Sequence, residues 1–359
     1  MSWITETAAL YDEIKEKVND SDEWEPILPL YHSTSNAQIQ VTIFSDGTFS
    51  HAEVVDADDA KTIIPVTEDS GSRGNGILPN PLCDKLIYIA GDYSTYVAKA
   101  KSDADEYFVT YIKALKAWAE SEYSDICITA IYDYLSKRML INDLIGDGIL
   151  KLKGAVLDEE YKITKSAKQI DSFVRFVVND LDSGENIKVW KSKALFDKYI
   201  AYYEALGKER DCQLCYASGK IVPVTYKHMA RIRNGGDKAK LISSNDKSNF
   251  TYRGRFANRE EAFAVGEIVS QKAHLALKWL IKTGGISVGD EKYVAWESCL
   301  NEIPNVFGRI ALDASENSGS FAKDKDDKVY AKTAEQYKNI IEMAIKGYKK
   351  NLDLNSSKE

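Results

Sequence analysis

The chain has 359 residues, with 47 Lys+Arg against 55 Asp+Glu, so its formal net charge is −8. Apolar residues make up 44% of the sequence, which supports a sizeable core in two or three domains and excludes a disordered tail protein. No stretch approaches the roughly 18 apolar residues of a membrane helix, and residues 1–6 lack the features of a signal peptide. With only five scattered cysteines, the sequence predicts a cytoplasmic protein without a disulfide framework.

The first 150 residues are predicted to form a β-rich unit with hairpins, followed by a helical pair. Apolar residues recur at helical spacing near the N-terminus, whereas residues 38–44 alternate as a strand does and are followed by the turn sequence SDGT. In chain order, we expect a helix over 3–18, β structure over 27–55, a strand over 61–66, a loop over 68–81, and helices over 92–121 and 125–139.

Residues 151–330 are predicted to form a mixed, more helical unit with short strands. We expect a strand over 172–178, a helix over 189–206, a loop-rich basic segment, a helix over 259–281 capped by Asn258, and a strand over 292–296. A polar helix is predicted over 333–350, within a tail that spans 331–359. The predicted fold class is therefore α+β.

The charge is distributed unevenly along the chain. Residues 1–80 carry four basic against fifteen acidic side chains, a net of −11, whereas residues 220–259 carry ten basic against two acidic ones, a net of +8. In this basic segment, cations alternate with Gly and aromatic residues, as in RIRNGG (231–236) and FTYRGRF (250–256). Such interleaving is typical of surfaces that hold phosphates and stack bases, although a solvated basic loop would have the same composition.

A second feature is the glycine-rich loop GSRGNG over residues 71–76. It lacks the strand, glycine turn and helix order of a dinucleotide site, because Pro79 and Pro81 follow at once and oppose a helix. The Gly-Lys-Ser/Thr ending of a phosphate loop is also missing. Asn75 and Asn80 are nevertheless flanked by glycine or proline, and an asparagine side chain can read an adenine edge or bond in a minor groove. A plain surface turn is the alternative interpretation.

Motifs for catalysis or metal binding are sparse. Cys212 and Cys215 have half of a zinc-ribbon spacing, with His228 thirteen residues further on, so a zinc ion at this pair stays open. His274 lies on a predicted helix between an apolar and a basic face, which is more typical of a packing residue than of a catalyst. The aspartates between residues 56 and 59 lack a partnering His or Lys, and no catalytic motif accompanies them.

Three stretches together resemble a known family. They are GNGILPN (74–80) with Tyr88 downstream, CQLC (212–215) leading to LISSND (241–246) and FTYRGRF (250–256), and SQKAHLALKWLI (270–281) followed by YVAW (293–296). In this order they resemble the large subunit of the type I-C CRISPR surveillance complex, Cascade, over residues 27–352. Members of this family continue into a C-terminal helical bundle, toward which the 331–359 tail is expected to lead.

The resemblance implies a non-catalytic subunit without a cofactor. Its partners would be guide-RNA-bound CRISPR backbone subunits, double-stranded target DNA and a CRISPR nuclease-helicase. It would recognise the protospacer-adjacent motif (PAM) on the duplex and help to start strand separation, while guide pairing reads the remaining sequence.

The resemblance also suggests roles for individual residues. Motif recognition is expected from one loop and phosphate contacts from cations in both parts of the chain. The residues expected to recognise the motif are Gly74, Asn75, Gly76 and Asn80. Those expected to contact phosphates are Arg73, Lys85, Lys227, Arg231, Arg233, Lys240, Arg253 and Arg255.

Two other functions remain open from the residues alone. A metal-dependent nuclease or zinc-ribbon enzyme would depend on Cys212, Cys215, His228 and the aspartates Asp56, Asp58 and Asp59. A purely structural scaffold would contact protein subunits only.

Overall fold

The computed structural model describes residues 2–18, 26–71, 73, 76–98, 103–165, 167–207, 212–234, 237–243, 254–288, 291–294, 296–297 and 357–358. The helices are α1 Trp3–Val18, α2 Glu68–Gly71, α3 Leu86–Ile89, α4 Tyr93–Tyr96, α5 Ala104–Ala119, α6 Ile126–Ser136, α7 Leu140–Gly146, α8 Lys193–Gly207, α9 Arg259–Ala262 and α10 Glu267–Gly284. Short 3₁₀ turns occur at Ala57–Asp59 and Gln169–Asp171.

The strands are short and spread over both halves of the sequence. They are β1 His32–Asn36, β2 Ile39–Phe44, β3 Phe49–Val54, β4 Lys61–Pro65, β5 Leu152–Lys153, β6 Val156–Leu157, β7 Val174–Asn179, β8 Asn186–Lys188, β9 Cys212–Leu214, β10 Ile221–Thr225, β11 Val265–Gly266, β12 Ile286–Val288, β13 Glu291–Tyr293, β14 Trp296–Glu297 and β15 Ser357–Lys358. The predicted α+β class, β-rich at first and more helical later, is confirmed.

The chain divides into two compact units, one of residues 28–210 and one of residues 1–27 with 211–359. This division differs from the predicted boundary at residue 150. In the first unit, β2 and β7 pair in parallel although they lie on opposite sides of that boundary. In the second unit, α1 packs along α10, with a 2.7 Å ion pair between Asp12 and Lys272. Long-range pairing of this kind leaves no local signal in the sequence.

The first unit is built on a four-stranded sheet in the order β3-β2-β7-β8. The β2–β3 hairpin turns through Gly47, whose φ of +74° is a conformation that glycine adopts without strain. The central strands of this sheet, β2 and β7, are buried almost throughout, which explains their run of Val, Ile and Phe. The helices α3 to α8 contribute apolar and tyrosine side chains to the core of this unit.

The second unit contains the three-stranded sheet β11-β10-β9 and a small core that includes Ile4, Cys215 and Val265. The predicted continuous helix over 259–281 is wrong. A short helix, α9, ends at Ala262, and the chain then forms β11, where Val265 pairs with Thr225 before α10 begins at Glu267. Val265 is fully buried, so strand pairing and burial outweigh helical periodicity at this point. The polar helix predicted over 333–350 lies outside the described residues.

Candidate nucleic-acid interface

A buried carboxylate, that of Asp84, accepts hydrogen bonds from residues within and beyond the glycine-rich loop. The side chain of Asp84 is fully buried and accepts hydrogen bonds from the Arg73 guanidinium at 3.0 and 2.6 Å. It also accepts one from the Asn80 backbone N–H at 2.7 Å and one from the Lys85 backbone N–H at 2.8 Å. Two carboxylate oxygens thus receive four donors, an arrangement that we call the Asp84 clamp.

The backbone around Asp84 is tied to the central sheet. Its carbonyl oxygen accepts from the Val174 N–H at 3.0 Å, at the start of β7, and the Leu86 N–H donates to the Ser172 carbonyl at 3.0 Å. Lys85 forms an isolated antiparallel bridge with Phe173 between these two bonds. The clamp is therefore attached to one of the most deeply buried strands of the unit.

Tyr88 provides a second connection between the glycine-rich loop and the Asp84 clamp. The Arg73 guanidinium carbon lies 4.5 Å from the centre of the Tyr88 ring, and the Tyr88 hydroxyl is hydrogen-bonded to the Leu78 backbone. Burial lowers the pKa of Arg73, but the hydrogen bonds and charge of Asp84 outweigh it, and the net effect is a raised pKa. Arg73 is therefore a firmly charged and internally paired cation.

The predicted motif-reading residues have different environments. Gly74 and Asn75 lie outside the described residues. Gly76 has φ +114°, and a Cβ added there would meet nothing within 4 Å. Asn80 is only 5% exposed, and its side-chain amide donates to the Cys83 carbonyl at 3.5 Å. Gly76 thus allows the loop an open left-handed turn, whereas the Asn80 side chain is directed into the protein.

The predicted phosphate contacts are also placed in different settings. Arg73 belongs to the clamp, whereas Lys85 is exposed and only its backbone takes part in it. In the other unit, Lys227, Arg231 and Arg255 are exposed. Arg253 lies outside the described residues.

The loop that carries Arg231 and Arg233 is closed by a bridge between Ala230 and Lys240. Ile232 is buried between the two exposed arginines, so they extend on either side of an apolar anchor. Arg233 pairs with Asp237 at 2.7 Å, and this hydrogen bond lowers the pKa of the Asp237 carboxyl. The Arg255 guanidinium lies 5.4 Å from the centre of the Phe256 ring. Two exposed arginines thus flank the buried Ile232 in this loop.

The two cysteines of the Cys212–Cys215 pair differ in exposure. Cys212 is exposed on β9, whereas Cys215 is fully buried and its sulfur accepts from the Gly266 N–H at 3.1 Å. Burial raises the pKa of the Cys215 thiol. Hydrogen bonds from residues 217, 218 and 266 lower it by more than burial raises it, so the net pKa is below the usual value. Among the residues that the structure describes, no group of three His, Cys, Asp or Glu side chains could hold a metal ion.

The histidines of this unit are internal. His274 is fully buried with its Nδ1 donating to the Ser270 carbonyl at 2.7 Å, and its ring stacks on His228 with the ring centres 5.9 Å apart. Burial, with a smaller effect of His274, lowers the pKa of His228 to about 3. His274 is thus a packing residue, as the sequence predicts, and His228 belongs to the same buried pair.

The aspartates of residues 56–59 are likewise structural in part. Asp59 accepts a hydrogen bond from Arg175, a buried arginine of β7 that also binds Gln40 and lies 3.8 Å from the centre of the Trp190 ring. Sequence reasoning missed both Asp84 and Arg175. The available signal was the position of Arg175, which is the one charged residue in the apolar run FVRFVV over residues 173–178.

The chain is similar to known CRISPR-associated proteins. The chain matches a model of CRISPR-associated proteins over residues 9–358. It belongs to that family, Cas_Csd1, and the resemblance to type I-C Cascade large subunits is thereby confirmed. None of the curated proteins compared with the chain matches it. No helix within the described ranges is long and apolar enough to cross a membrane.

Proposed function

We propose that this chain is the non-catalytic large subunit of a type I-C CRISPR interference complex, which recognises the PAM on double-stranded DNA and helps to initiate R-loop formation. The family match over residues 9–358 carries the proposal. Its partners would be guide-RNA-bound backbone subunits, target DNA and the nuclease-helicase. The geometry of the loop and of the basic segment supports a division between motif recognition and backbone binding.

Motif recognition is assigned to the recognition loop, residues 74–80, with Asn75 as the side chain that contacts bases. The buried Asn80 would serve at the base of the loop instead, because its amide faces Cys83. A base contact of this kind is worth about 1–3 kcal/mol of discrimination.

The test compares the assembled, guide-loaded complex on duplexes that carry the preferred motif or an altered one. Asn75→Ala should reduce the ratio of the two affinities by about 5- to 150-fold, whereas Asn36→Ala, at an exposed position in β1, should leave it unchanged. Equal ratios for the two variants would refute the assignment of the loop.

Backbone binding is assigned to Lys227, Arg231 and Arg255, which are exposed cations in the basic segment. Each phosphate contact that is lost should flatten the slope of log affinity against log salt by about 0.9. Lys227→Gln and Arg255→Gln should each do so, whereas Lys113→Gln on the exposed face of α5 should not. Unchanged slopes in both variants would mean that this segment faces another partner.

The alternative of a zinc-ribbon enzyme gains no support from the geometry, because Cys212 and Cys215 lie in different environments. Metal analysis and a divalent-ion cleavage assay of the purified chain would reveal such an activity. A purely structural scaffold predicts instead a complex whose DNA affinity is insensitive to both sets of substitutions.

A further inference from the structure

The two ends of the recognition loop meet at one carboxylate. Arg73 precedes residues 74–79 and Asn80 follows them, and both donate to Asp84, Arg73 through its side chain and Asn80 through its backbone. Pro79 and Pro81 restrict the backbone on either side of Asn80. Arg73 and Asn80, which lie on either side of residues 74–79, are therefore both fixed at one carboxylate by charge-assisted hydrogen bonds.

We propose that Asp84 is a positioning residue, which fixes the two ends of the recognition loop before DNA arrives. The proposal rests on the function proposed above. A loop whose ends are already fixed loses less conformational entropy when it binds, and its side chains meet the bases at a defined angle. Asp84 can act in this way because its own backbone is tied to β7, so the anchor does not move with the loop.

The same geometry gives Arg73 a role different from that of a phosphate contact. Its guanidinium makes two hydrogen bonds to Asp84 and lies over the Tyr88 ring, which is itself hydrogen-bonded to the backbone of Leu78 in the loop. An ion-paired guanidinium displaces few counterions from DNA, whereas a phosphate contact displaces about one. The salt dependence of binding therefore separates the two roles.

The test uses Arg73→Gln in the complete guide-loaded complex, because Arg73 is partly exposed and its removal leaves Asp84 its two backbone donors. We expect motif discrimination to fall about tenfold, within the range that one base contact supplies, and the salt slope to stay unchanged. Arg138→Gln is the matched control, since Arg138 also lies over an aromatic ring, that of Phe108, and is exposed. A slope flattened by about 0.9 with intact discrimination would make Arg73 a phosphate contact and overturn the proposal.

Two further variants exclude a general loss of folding. Arg73→Lys keeps a charged donor to Asp84 and should restore part of the discrimination in an assembled complex; no restoration would count against the clamp. In the double variant with Asn75→Ala, Arg73→Gln should cause no further loss, because both changes act through the same base contact. Additive losses would refute an action through the loop.

The outcomes also separate this proposal from the function on which it rests. If the unmodified complex shows no motif preference, the proposed function itself fails and the clamp fails with it. If the unmodified complex and Asn75→Ala behave as proposed but Arg73→Gln retains full discrimination, only the clamp is refuted.

Discussion

Mild acid should destabilise the first unit through His32, a buried histidine at the start of β1. The side chain is 2% exposed, its Nδ1 donates to the Leu30 carbonyl at 2.7 Å, and its ring packs edge-on against Phe196 and Tyr199. Burial lowers the pKa of His32 from 6.5 to about 4, an effect only partly offset by the bond to Leu30.

The sign and size of the effect follow from proton binding in the two states. Between pH 6.5 and about 4, the unfolded chain binds a proton at His32 and the folded chain does not, so the free energy of unfolding decreases as the pH falls. This loss of unfolding free energy is absent at pH 7 and complete below about pH 4. A pKa difference of about 2.5 corresponds to a loss of about 3 kcal/mol.

The assay is urea unfolding at pH 7 and pH 4.5, followed by circular dichroism. His32→Phe keeps an aromatic ring in the pocket, and its free energy of unfolding should change less between the two pH values than that of the unmodified chain, by about 2–3 kcal/mol. His51→Phe, at an exposed position in β3, is the control, and the buried His228 and His274 are common to all three chains. An equal pH dependence for His32→Phe and the unmodified chain would refute the argument.

Three further predictions concern the stability of the first unit and can be measured by the same urea unfolding at pH 7. Arg175→Ala should cost about 2–5 kcal/mol, because it leaves a cavity and an unsatisfied buried amide. Asp59→Asn should cost less, because the asparagine oxygen and the backbone carbonyl of residue 59 can still accept from Arg175. Gly47→Ala should cost about 1–3 kcal/mol more than Gly148→Ala, since both glycines have φ near +75° but only at Gly47 would a Cβ lie 2.9 Å from another side chain. Asp125→Ala should cost about 0.5–2 kcal/mol, because the carboxylate caps α6 through the Cys127 N–H at 2.7 Å. Equal losses within either matched pair, or none at Asp125, would contradict these assignments.

Elements with a local cause were predictable from the sequence. The α1 helix has the predicted bounds because its apolar residues repeat at helical spacing, and β2 and β3 form the predicted hairpin because an Asp-Gly turn follows an alternating strand. Both signals lie within a few residues of the structure they specify.

Elements decided by distant partners were not predictable in the same way. β2 pairs with β7, which begins 135 residues later, and this pairing places the unit boundary elsewhere than expected. The break between α9 and α10 has a similar cause, because Val265 is drawn into a strand by β10 rather than by its immediate neighbours. Periodicity records local preference, and these features depend on tertiary contact.

The candidate site shows the same distinction at the level of single charges. Composition identified the glycine-rich loop and the basic segment, because glycine, asparagine and arginine are counted directly in the sequence. It could not separate Arg231, which is exposed, from Arg73, whose charge is opposed by the buried Asp84. A cation contributes to DNA binding only as far as its charge is not already neutralised within the fold. Counting basic residues therefore identifies a candidate phosphate-binding surface, but the number of phosphates that it could bind depends on the pairing of each side chain.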